Sequence, residues 1–584
     1  MPMRAREQGR ERGREGGATS PPGLALLADW RAVWVLTAIF VAVGVEAVIS
    51  GRALHDEGVL TWHYASILGA APIPGLFFQK LRPVLALCYA PVAPLGFEAF
   101  AVMHVLVAAA GIPLAAAIAQ RLGVRTFVVP ALIMASSPLM LFTAPGGHSN
   151  TDAAIGLLLG MYLLWVKERG LAGGAVLSAM LLVRSEVAPL LVAIALERAL
   201  ARDWRPLVGM ALVPGIYALA GSLYHRDLLW MLHYPPTLMR PTPNAGWVQA
   251  GELLARLGET ATALMCLTPA VGLIVLLRPR ALGREERALA VGLGLFLLMI
   301  RGFPMIGLFN FDASPRYLLV GLPALALLIG RHSDCAHGLA GADARDGGVA
   351  SLVALAAATL LGVATLGDEP SRLLLPMVAT WAGVMGLSRL GWSRLAAGLW
   401  IAVTVLSFPR WRGPSWLEPP RAQLDALEAW WLREGPEAGD EVAVLTNSRL
   451  AKAWLEHRDL LARPQRVHIL FQEDMAFELG ALFDREVGQD RALLTAMDEH
   501  FYGRPVLTRQ DPLDWPVGTI VIFEDDDRLG RTIDLERWRP RMSVAVEVGE
   551  GELVIARLVR LPEDAEGGAP PAEANPDAGE EREP

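Results

Sequence analysis

The chain has 584 residues, of which 53% are hydrophobic and 19% are charged, and its mean hydropathy is +0.37. A soluble protein of this length is far less apolar, so the composition excludes that class and predicts a polytopic membrane protein. The net charge of -8 comes from acids concentrated in the C-terminal third. Cys88, Cys266 and Cys335 lack metal-ligand spacing, and they predict neither a disulfide framework nor a compartment.

The N-terminus predicts a cytoplasmic tail followed by a membrane helix. Residues 1–28 are rich in arginine and glycine and lack periodic apolar positions, which predicts a disordered basic tail. The apolar run Trp30 to Ser50 is long enough to span, and no small-residue cleavage site follows, so a retained helix is expected rather than a signal peptide. The positive-inside rule places the N-terminus in the cytoplasm. Residues 51–96 are then predicted to form an outer loop that contains Asp56 and Glu57.

Further apolar runs predict a transmembrane domain over 29–408 with about thirteen helices. The runs are 97–120, 124–142, 150–168, 171–183, 187–199, 206–224, 261–278, 288–308, 316–330, 350–367, 373–388 and 394–408. This topology concentrates Lys and Arg in the cytoplasmic loops. Counting Pro83–Leu95 as a span, or 171–199 as one helix, would invert the later loops. Two short helices are therefore predicted to meet at Arg184, inside protein or a wet cavity.

The chain changes character after Pro409. Residues 409–561 contain short β-like runs separated by helical stretches such as Pro420–Arg433, which predicts a small α/β domain. The β-like runs are Val442–Leu445, Val467–Phe471, Thr519–Phe523, Val544–Val548 and Leu553–Val559. An odd number of crossings places this domain on the extracytoplasmic side. Residues 562–584 are rich in Pro, Ala and Glu and are predicted to be a disordered acidic tail.

Charged side chains recur at the predicted outer ends of separate spans, on the same side as Asp56 and Glu57. They are Lys80 and Arg82 in the outer loop, His148 and Asp152 in the run APGGHSNTD, Arg184 and Glu186 between the short helices, and Arg316 beside Tyr317. Each has a structural alternative: a helix-terminal acid, a buried ion pair or an interfacial anchor. Their shared side favours one polar site. Carboxylate oxygens of Asp56 and Asp152 would suit Mg²⁺ or Mn²⁺, and metal dependence is left open.

This pattern resembles the C-type (GT-C) superfamily of membrane glycosyltransferases, and within it the protein O-mannosyltransferase and aminoarabinose-transferase-like group. An Asp-Glu pair lies in the first outer loop and is followed by an aromatic-Gln-Lys and proline segment. The run LLVRSEVAPLLVA looks like the family's Arg-Pro-Glu segment, and SPRYLLVGLPALALL looks like its Arg-Tyr segment. Two departures are Ser185, where the family commonly has proline, and His148–Asp152, which matches loosely.

The resemblance implies a cell-envelope enzyme of glycan biosynthesis in the cytoplasmic membrane. It would transfer a sugar from a polyprenyl-phosphate donor to a lipid, glycan or protein acceptor on the outer face. Asp56 would act as the base, assisted by Glu57, in an inverting single displacement. Lys80, Arg184 and Arg316 would stabilise the leaving phosphate, and the supporting residues would be His148, Asp152, Glu186 and Tyr317. No nucleic-acid partner is predicted, and the sugar is left open.

The rival class is a carrier, either a lipid-linked glycan flippase or a secondary transporter with intramembrane charges along its path. Transporters often contain paired halves with broken helices at matching positions. This sequence has one pair of short helices with a break between them, at 171–199, and no second such pair at a matching position. A membrane-anchored binding module is a third class, but it does not account for charges at the outer ends of separate spans. The sequence therefore favours the transferase.

Overall fold

The long apolar runs form α-helices in the computed structural model, because a helix satisfies the backbone polar groups within its own segment. Among the described residues, four helical stretches are long and apolar enough to cross a membrane: Trp30–Ile49, Phe97–Arg121, Ser149–Val166 and Trp204–His225. The protein is therefore a helical membrane protein. By its internal contacts the chain divides into two units, Met1–Pro419 and Pro420–Pro584.

The structure describes residues 26–49, 56–233, 282–302, 315–336, 421–435, 441–446, 451, 466–471, 517–524, 542–548 and 553–559. Most of the predicted N-terminal tail and all of the acidic tail 562–584 lie outside these ranges. The same holds for the predicted spans 261–278, 350–367, 373–388 and 394–408, which stay predictions.

The described helices of the first unit are α1 Trp30–Ile49, α2 Asp56–Ala70, α3 Pro72–Phe77, α4 Pro83–Tyr89, α5 Phe97–Arg121, α6 Val128–Ser136, α7 Pro138–Thr143, α8 Ser149–Met161, α9 Gly170–Ala179, α10 Ala188–Leu200, α11 Trp204–His225, α12 Trp230–His233, α13 Arg284–Leu297 and α14 Leu322–Ala336. Short 3-10 turns connect several of them, and α8 and α13 each end in a π-helical turn.

The predicted outer loop consists largely of short helices. Proline begins α3 and α4, where its missing N–H costs nothing because the first turn of a helix has no internal acceptor for it. Helix α4 has seven residues, and at 1.5 Å per residue it covers about 10 Å of an apolar core about 30 Å thick. The segment that begins at Pro83 is therefore too short to cross the membrane. The helical character of α2 was not predicted from the sequence.

Two apolar runs are broken in the structure. Helix α9 ends at Ala179 and α10 begins at Ala188, and Arg184 between them has an extended backbone, with φ -149° and ψ 122°. This break lies where the sequence predicted it. The predicted span 124–142 is also divided, into α6 and α7, because Pro138 cannot donate to the preceding turn and Ser137 caps α7. The expectation of one continuous helix there was wrong.

The second unit contains helix α15, Arg421–Glu434, and a five-stranded sheet. The strands are β1 Glu441–Thr446, β2 Arg466–Phe471, β3 Ile520–Glu524, β4 Met542–Val548 and β5 Leu553–Leu558. Their order is β2-β1-β3-β5-β4, with β1 parallel to both neighbours and β5 antiparallel to both of its own. Leu427 and Trp430 of α15 pack on β-strand residues that include Ile520 and Ile555. Each strand lies on one of the β-like runs of the sequence.

Among the described residues of the first unit, two groups of charged side chains each join several segments, and the first lies among residues assigned to the cytoplasmic loops. Arg284 Nε is 2.8 Å from Glu197 Oε1, and Arg331 Nε is 2.8 Å from Glu286 Oε1. Arg331 also donates to the carbonyl of Leu122, at 3.4 Å. These contacts join the ends of α5, α10 and α14 to the start of α13. Residues that the predicted topology assigns to the cytoplasmic side of the membrane are therefore neighbours in the fold.

Candidate functional site

The second group of charged side chains surrounds the carboxylate of Glu57, in the first turn of α2. Glu57 is buried, with 6% of its surface exposed. Its Oε1 accepts a hydrogen bond from Arg82 Nη1 at 3.1 Å and another from Arg184 Nη2. Its Oε2 lies 3.0 Å from Arg316 Nη1. Three guanidinium groups, from three separate segments of the chain, therefore converge on one buried carboxylate.

The start of α8 supplies uncharged donors and acceptors to this cluster. Ser149 Oγ donates to Glu57 Oε1 at 2.7 Å and accepts from Arg184 Nε at 2.8 Å. Asn150 Oδ1 accepts from Arg184 Nη2 at 2.9 Å. His148, which precedes the helix, places Nδ1 3.3 Å from Glu57 Oε2. The run HSN of the sequence thus contacts the same carboxylate and the same arginine.

Arg184 reaches the cluster because the chain is extended between α9 and α10. Its Nη1 is 3.5 Å from Glu186 Oε1, which lies two residues further along the break. The ring of Tyr317 lies near two of the cations, with its centroid 5.5 Å from Arg184 Cζ and 5.6 Å from Arg316 Cζ. Such cation–π contacts fix guanidinium planes without neutralising them. The break and the start of the 3-10 turn before α14 therefore meet at Tyr317.

Glycine allows α2 to approach the loop before α8. A Cβ atom on Gly58 would lie 2.0 Å from the carbonyl oxygen of Gly146, and one on Gly147 would lie 2.9 Å from Gly58 Cα. Gly147 also has φ +68°, which favours glycine. This backbone contact holds Glu57 against the start of α8.

Replacing Gly58 with alanine is expected to destabilise the protein by about 1–3 kcal/mol, because overpacking against backbone forces a helix to shift. Thermal unfolding in detergent would measure the loss. Gly215→Ala is the matched control, since a Cβ there meets nothing within 4 Å and the residue also lies inside a helix. A G58A protein as stable as G215A would contradict the close packing of α2 on this loop.

The cluster is electrostatically biased toward anions. Burial alone would raise the pKa of Glu57, but the guanidinium groups of Arg184 and Arg316, a hydrogen bond with His148 and the charge of Arg82 together hold it well below its usual value. Glu57 is therefore ionised and is a weak proton acceptor. Among the described side chains, three arginines face the two carboxylates of Glu57 and Glu186, so three minus two leaves a net charge of +1.

Asp152 takes part in a different network. Its Oδ1 accepts a hydrogen bond from Tyr89 at 2.5 Å, and its Oδ2 is 2.9 Å from His104 Nε2. His104 Nδ1 is 2.5 Å from the carbonyl oxygen of Ala144, which can only accept, so Nδ1 carries a proton. Nε2 and Oδ2 then share a second proton between them. This buried network ties α8 to α4 and α5.

The structure brings most of the predicted site residues together. Glu57, His148, Arg184, Glu186, Arg316 and Tyr317 form one cluster. Asp152 lies on α8 beside this cluster's residues but bonds to Tyr89 and His104. The side chains of Asp56 and Lys80 lie outside the described part of the chain, so their roles stay predictions.

The described residues supply no further ligands for the metal ion that Asp56 and Asp152 could bind. Within these ranges no group of three or more His, Cys, Asp or Glu side chains could hold a metal ion. Both oxygens of Asp152 already accept or share a proton. No metal-dependent step is therefore proposed.

Several contributing residues were missed or underrated. Arg82 was grouped with the charges of the outer loop but was not predicted to bind phosphate, whereas its backbone lies in the left-handed region at φ 51° and its side chain bonds Glu57. Its position two residues after Lys80 was the available signal. Ser149 and Asn150 lay within the HSNTD run, whereas lone polar residues in apolar helices, such as His104, gave no signal.

Two solved structures have a similar fold, both of ArnT from Cupriavidus metallidurans. The apo form has a TM-score of 0.53 at 15% identity and covers 90% of this chain and 97% of its own. The form bound to undecaprenyl phosphate has a TM-score of 0.50 at 14% identity, with 90% and 98% covered. This chain has a fold similar to that of ArnT. No family model and no curated protein matches the sequence.

ArnT is an aminoarabinose transferase of the GT-C superfamily, so the predicted resemblance in fold is confirmed. At this level of identity the similarity concerns the fold alone.

Proposed function

We propose that this protein is a membrane glycosyltransferase that transfers a sugar from a polyprenyl-phosphate donor to an acceptor on the outer face of the cytoplasmic membrane. The observation that carries the proposal is the convergence of Arg82, Arg184 and Arg316, all largely shielded from solvent, on the single buried carboxylate of Glu57. Guanidinium groups match phosphate geometry and are readily buried in such sites. The ArnT-like fold supports a lipid phosphate as the anion, since one ArnT structure is bound to undecaprenyl phosphate.

The proposed reaction is a single displacement at the anomeric carbon. An acceptor hydroxyl oxygen attacks that carbon, its proton passes to Asp56, and the phosphate oxygen leaves with the bonding electron pair. The leaving phosphate gains charge as the bond breaks, and prepositioned arginines stabilise this charge without reorganising. Glu57 is a poor candidate for the base, because three guanidinium groups already bind its carboxylate.

The proposal keeps the predicted orientation, with about thirteen membrane helices, a cytoplasmic N-terminus and an extracytoplasmic α/β unit. The ion pairs of Glu197 and Glu286 lie among the residues assigned to the cytoplasm. Arg184 precedes α10, whereas Glu197 lies near its other end. The arginine cluster and the Glu197 ion pairs therefore lie at opposite ends of α10, as this orientation requires.

Lipid binding tests the proposal directly. The purified protein in nanodiscs is expected to bind undecaprenyl phosphate in native mass spectrometry at least about tenfold more tightly than undecaprenol, which lacks the charge. Deletion of the gene is expected to remove one envelope glycan modification and to accumulate its lipid-linked sugar donor. Equal affinity for both lipids would contradict the phosphate site. Lipid-phosphate binding with no transfer in the presence of donor would favour the carrier.

A further inference from the structure

We propose that Glu57 competes with the lipid phosphate for Arg82, Arg184 and Arg316, and that this competition speeds release of the lipid-phosphate product. The role depends on the proposed function, because it lies within the same phosphate site. It assigns Glu57 to the binding and release of the lipid, which differs from assisting the base.

The first support is positional. The three guanidinium groups do not point to separate acceptors, since each has an N–H group directed at the Glu57 carboxylate. Guanidinium–phosphate pairs use the same short, planar hydrogen bonds as guanidinium–carboxylate pairs. The carboxylate therefore fills the point at which a phosphate would contact all three arginines, and a phosphate gains those contacts only as the carboxylate gives them up.

The second support is that Glu57 has polar partners other than the arginines, which can stabilise its charge when the arginines bind phosphate. Ser149 Oγ donates to it at 2.7 Å, and His148 Nδ1 lies 3.3 Å from its other oxygen. Both residues lie at the start of α8, which is a different segment from those that supply the arginines, and Ser149 also accepts from Arg82 and Arg184. Glu57 also lies in the first turn of α2, where the helix dipole favours an anion. A carboxylate that releases the arginines is therefore not left as an isolated buried charge.

The third support is an unused donor beside the arginines. Asn150 accepts from Arg184 through Oδ1, which fixes the orientation of its amide. Its Nδ2 is buried and has no hydrogen-bond partner among the described residues. A buried donor without an acceptor is costly, and a phosphate oxygen would satisfy it. This amide indicates that the cluster has room for one more acceptor than Glu57 supplies.

Charge explains why competition would matter for turnover. A donor phosphodiester carries one negative charge, whereas the product monophosphate carries about 1.5 to 2 near neutral pH. The arginines consequently hold the product more tightly than the donor, and slow product release limits many enzymes. When Glu57 forms its ion pairs with the arginines again, it displaces the product phosphate and so opposes this retention.

The test is the affinity of the full-length protein for undecaprenyl phosphate in nanodiscs, with Glu57→Gln compared with the native protein. The variant is expected to bind about tenfold more tightly, because the amide retains the shape of the carboxylate but not its charge. Turnover with a lipid-phosphate sugar donor should then be inhibited by correspondingly lower product concentrations. Unchanged or weaker binding would overturn the proposal, since it would mean that Glu57 only orients the arginines.

Glu186→Gln is the matched control. It removes one carboxylate from the same cluster, 3.5 Å from Arg184, without vacating the point where the arginines converge. Loss of its charge is expected to tighten binding of undecaprenyl phosphate at least about threefold less than Glu57→Gln does. An equal gain in both variants would overturn the competition in favour of a general charge effect.

Glu57→Asp keeps the proposal testable if the glutamine variant does not fold. Aspartate retains the charge but draws the carboxylate back by one methylene, so binding about threefold tighter than native is expected. Native or weaker affinity in this variant would overturn the competition. A native protein that does not bind undecaprenyl phosphate at all would instead refute the proposed function.

Discussion

Replacing Arg184 with glutamine is expected to weaken binding of undecaprenyl phosphate at least about thirtyfold and to abolish measurable sugar transfer. Arg184 contacts four other residues of the cluster. Its guanidinium contacts Glu57, Ser149 and Asn150 and is 9% exposed. Loss of this group removes a phosphate ligand and also the contact that orients the Asn150 amide. No other described side chain of the cluster makes both kinds of contact.

Arg184→Lys separates charge from geometry. Lysine keeps the positive charge but offers one ammonium group where the structure uses Nε and Nη2 in different directions. Most of the loss seen in R184Q is therefore expected in R184K as well. Near-native binding in R184K would mean that charge alone matters, and near-native binding in R184Q would remove the cluster as the phosphate site.

Two further variants test whether the loss of lipid binding in R184Q is caused by misfolding. R184Q removes the guanidinium that lies 3.5 Å from the Glu186 carboxylate, so the double variant R184Q/E186Q should recover thermal stability but not lipid binding. Arg121→Gln removes a half-exposed arginine whose partner Glu168 is 3.8 Å away and 60% exposed. Such surface pairs contribute little, so this variant should behave as the native protein does.

The fold was predictable where a local signal and a global constraint agreed. The break at Arg184 followed from a charge inside an apolar run together with the side on which later arginines had to lie. The strands of the second unit followed from short β-branched runs. The break at Pro138 was missed because the run 124–142 was long enough to span, and length outweighed one proline. Helix α2 was missed because its polar start was interpreted as a loop.

The composition of the site was more predictable than its contacts. Topology placed Glu57, Arg184 and Arg316 on one side, and the structure joins them. Which partner each side chain selects depends on packing between distant segments, which no local pattern encodes. Asp152 illustrates the limit: its partner His104 lies 48 residues away, alone among apolar neighbours on α5. The approach of α2 to α8 likewise depends on two glycine contacts that are unmarked in the sequence.

Asp56→Asn is expected to lower the rate of sugar transfer about 10²- to 10⁴-fold, the contribution typical of a general base. Affinity for undecaprenyl phosphate should stay within about threefold of native, because the three arginines and their contacts with Glu57 are unchanged. Single-turnover transfer from a lipid-phosphate sugar donor, measured beside lipid affinity on the same preparation, would separate the two effects.

The two neighbouring carboxylates thus have opposite expected signatures. A base must be free to accept a proton, and the arginines hold the pKa of Glu57 well below its usual value despite its burial. Asp56→Asn should therefore slow sugar transfer without changing the affinity for undecaprenyl phosphate. Glu57→Gln should instead increase that affinity. Glu57 would be the base if the pattern were reversed. In that case D56N would transfer sugar at a near-native rate, and E57Q would lose transfer without a change in lipid affinity. That outcome would require a carboxylate bound by three guanidinium groups to accept a proton, and for this reason we propose Asp56 as the base.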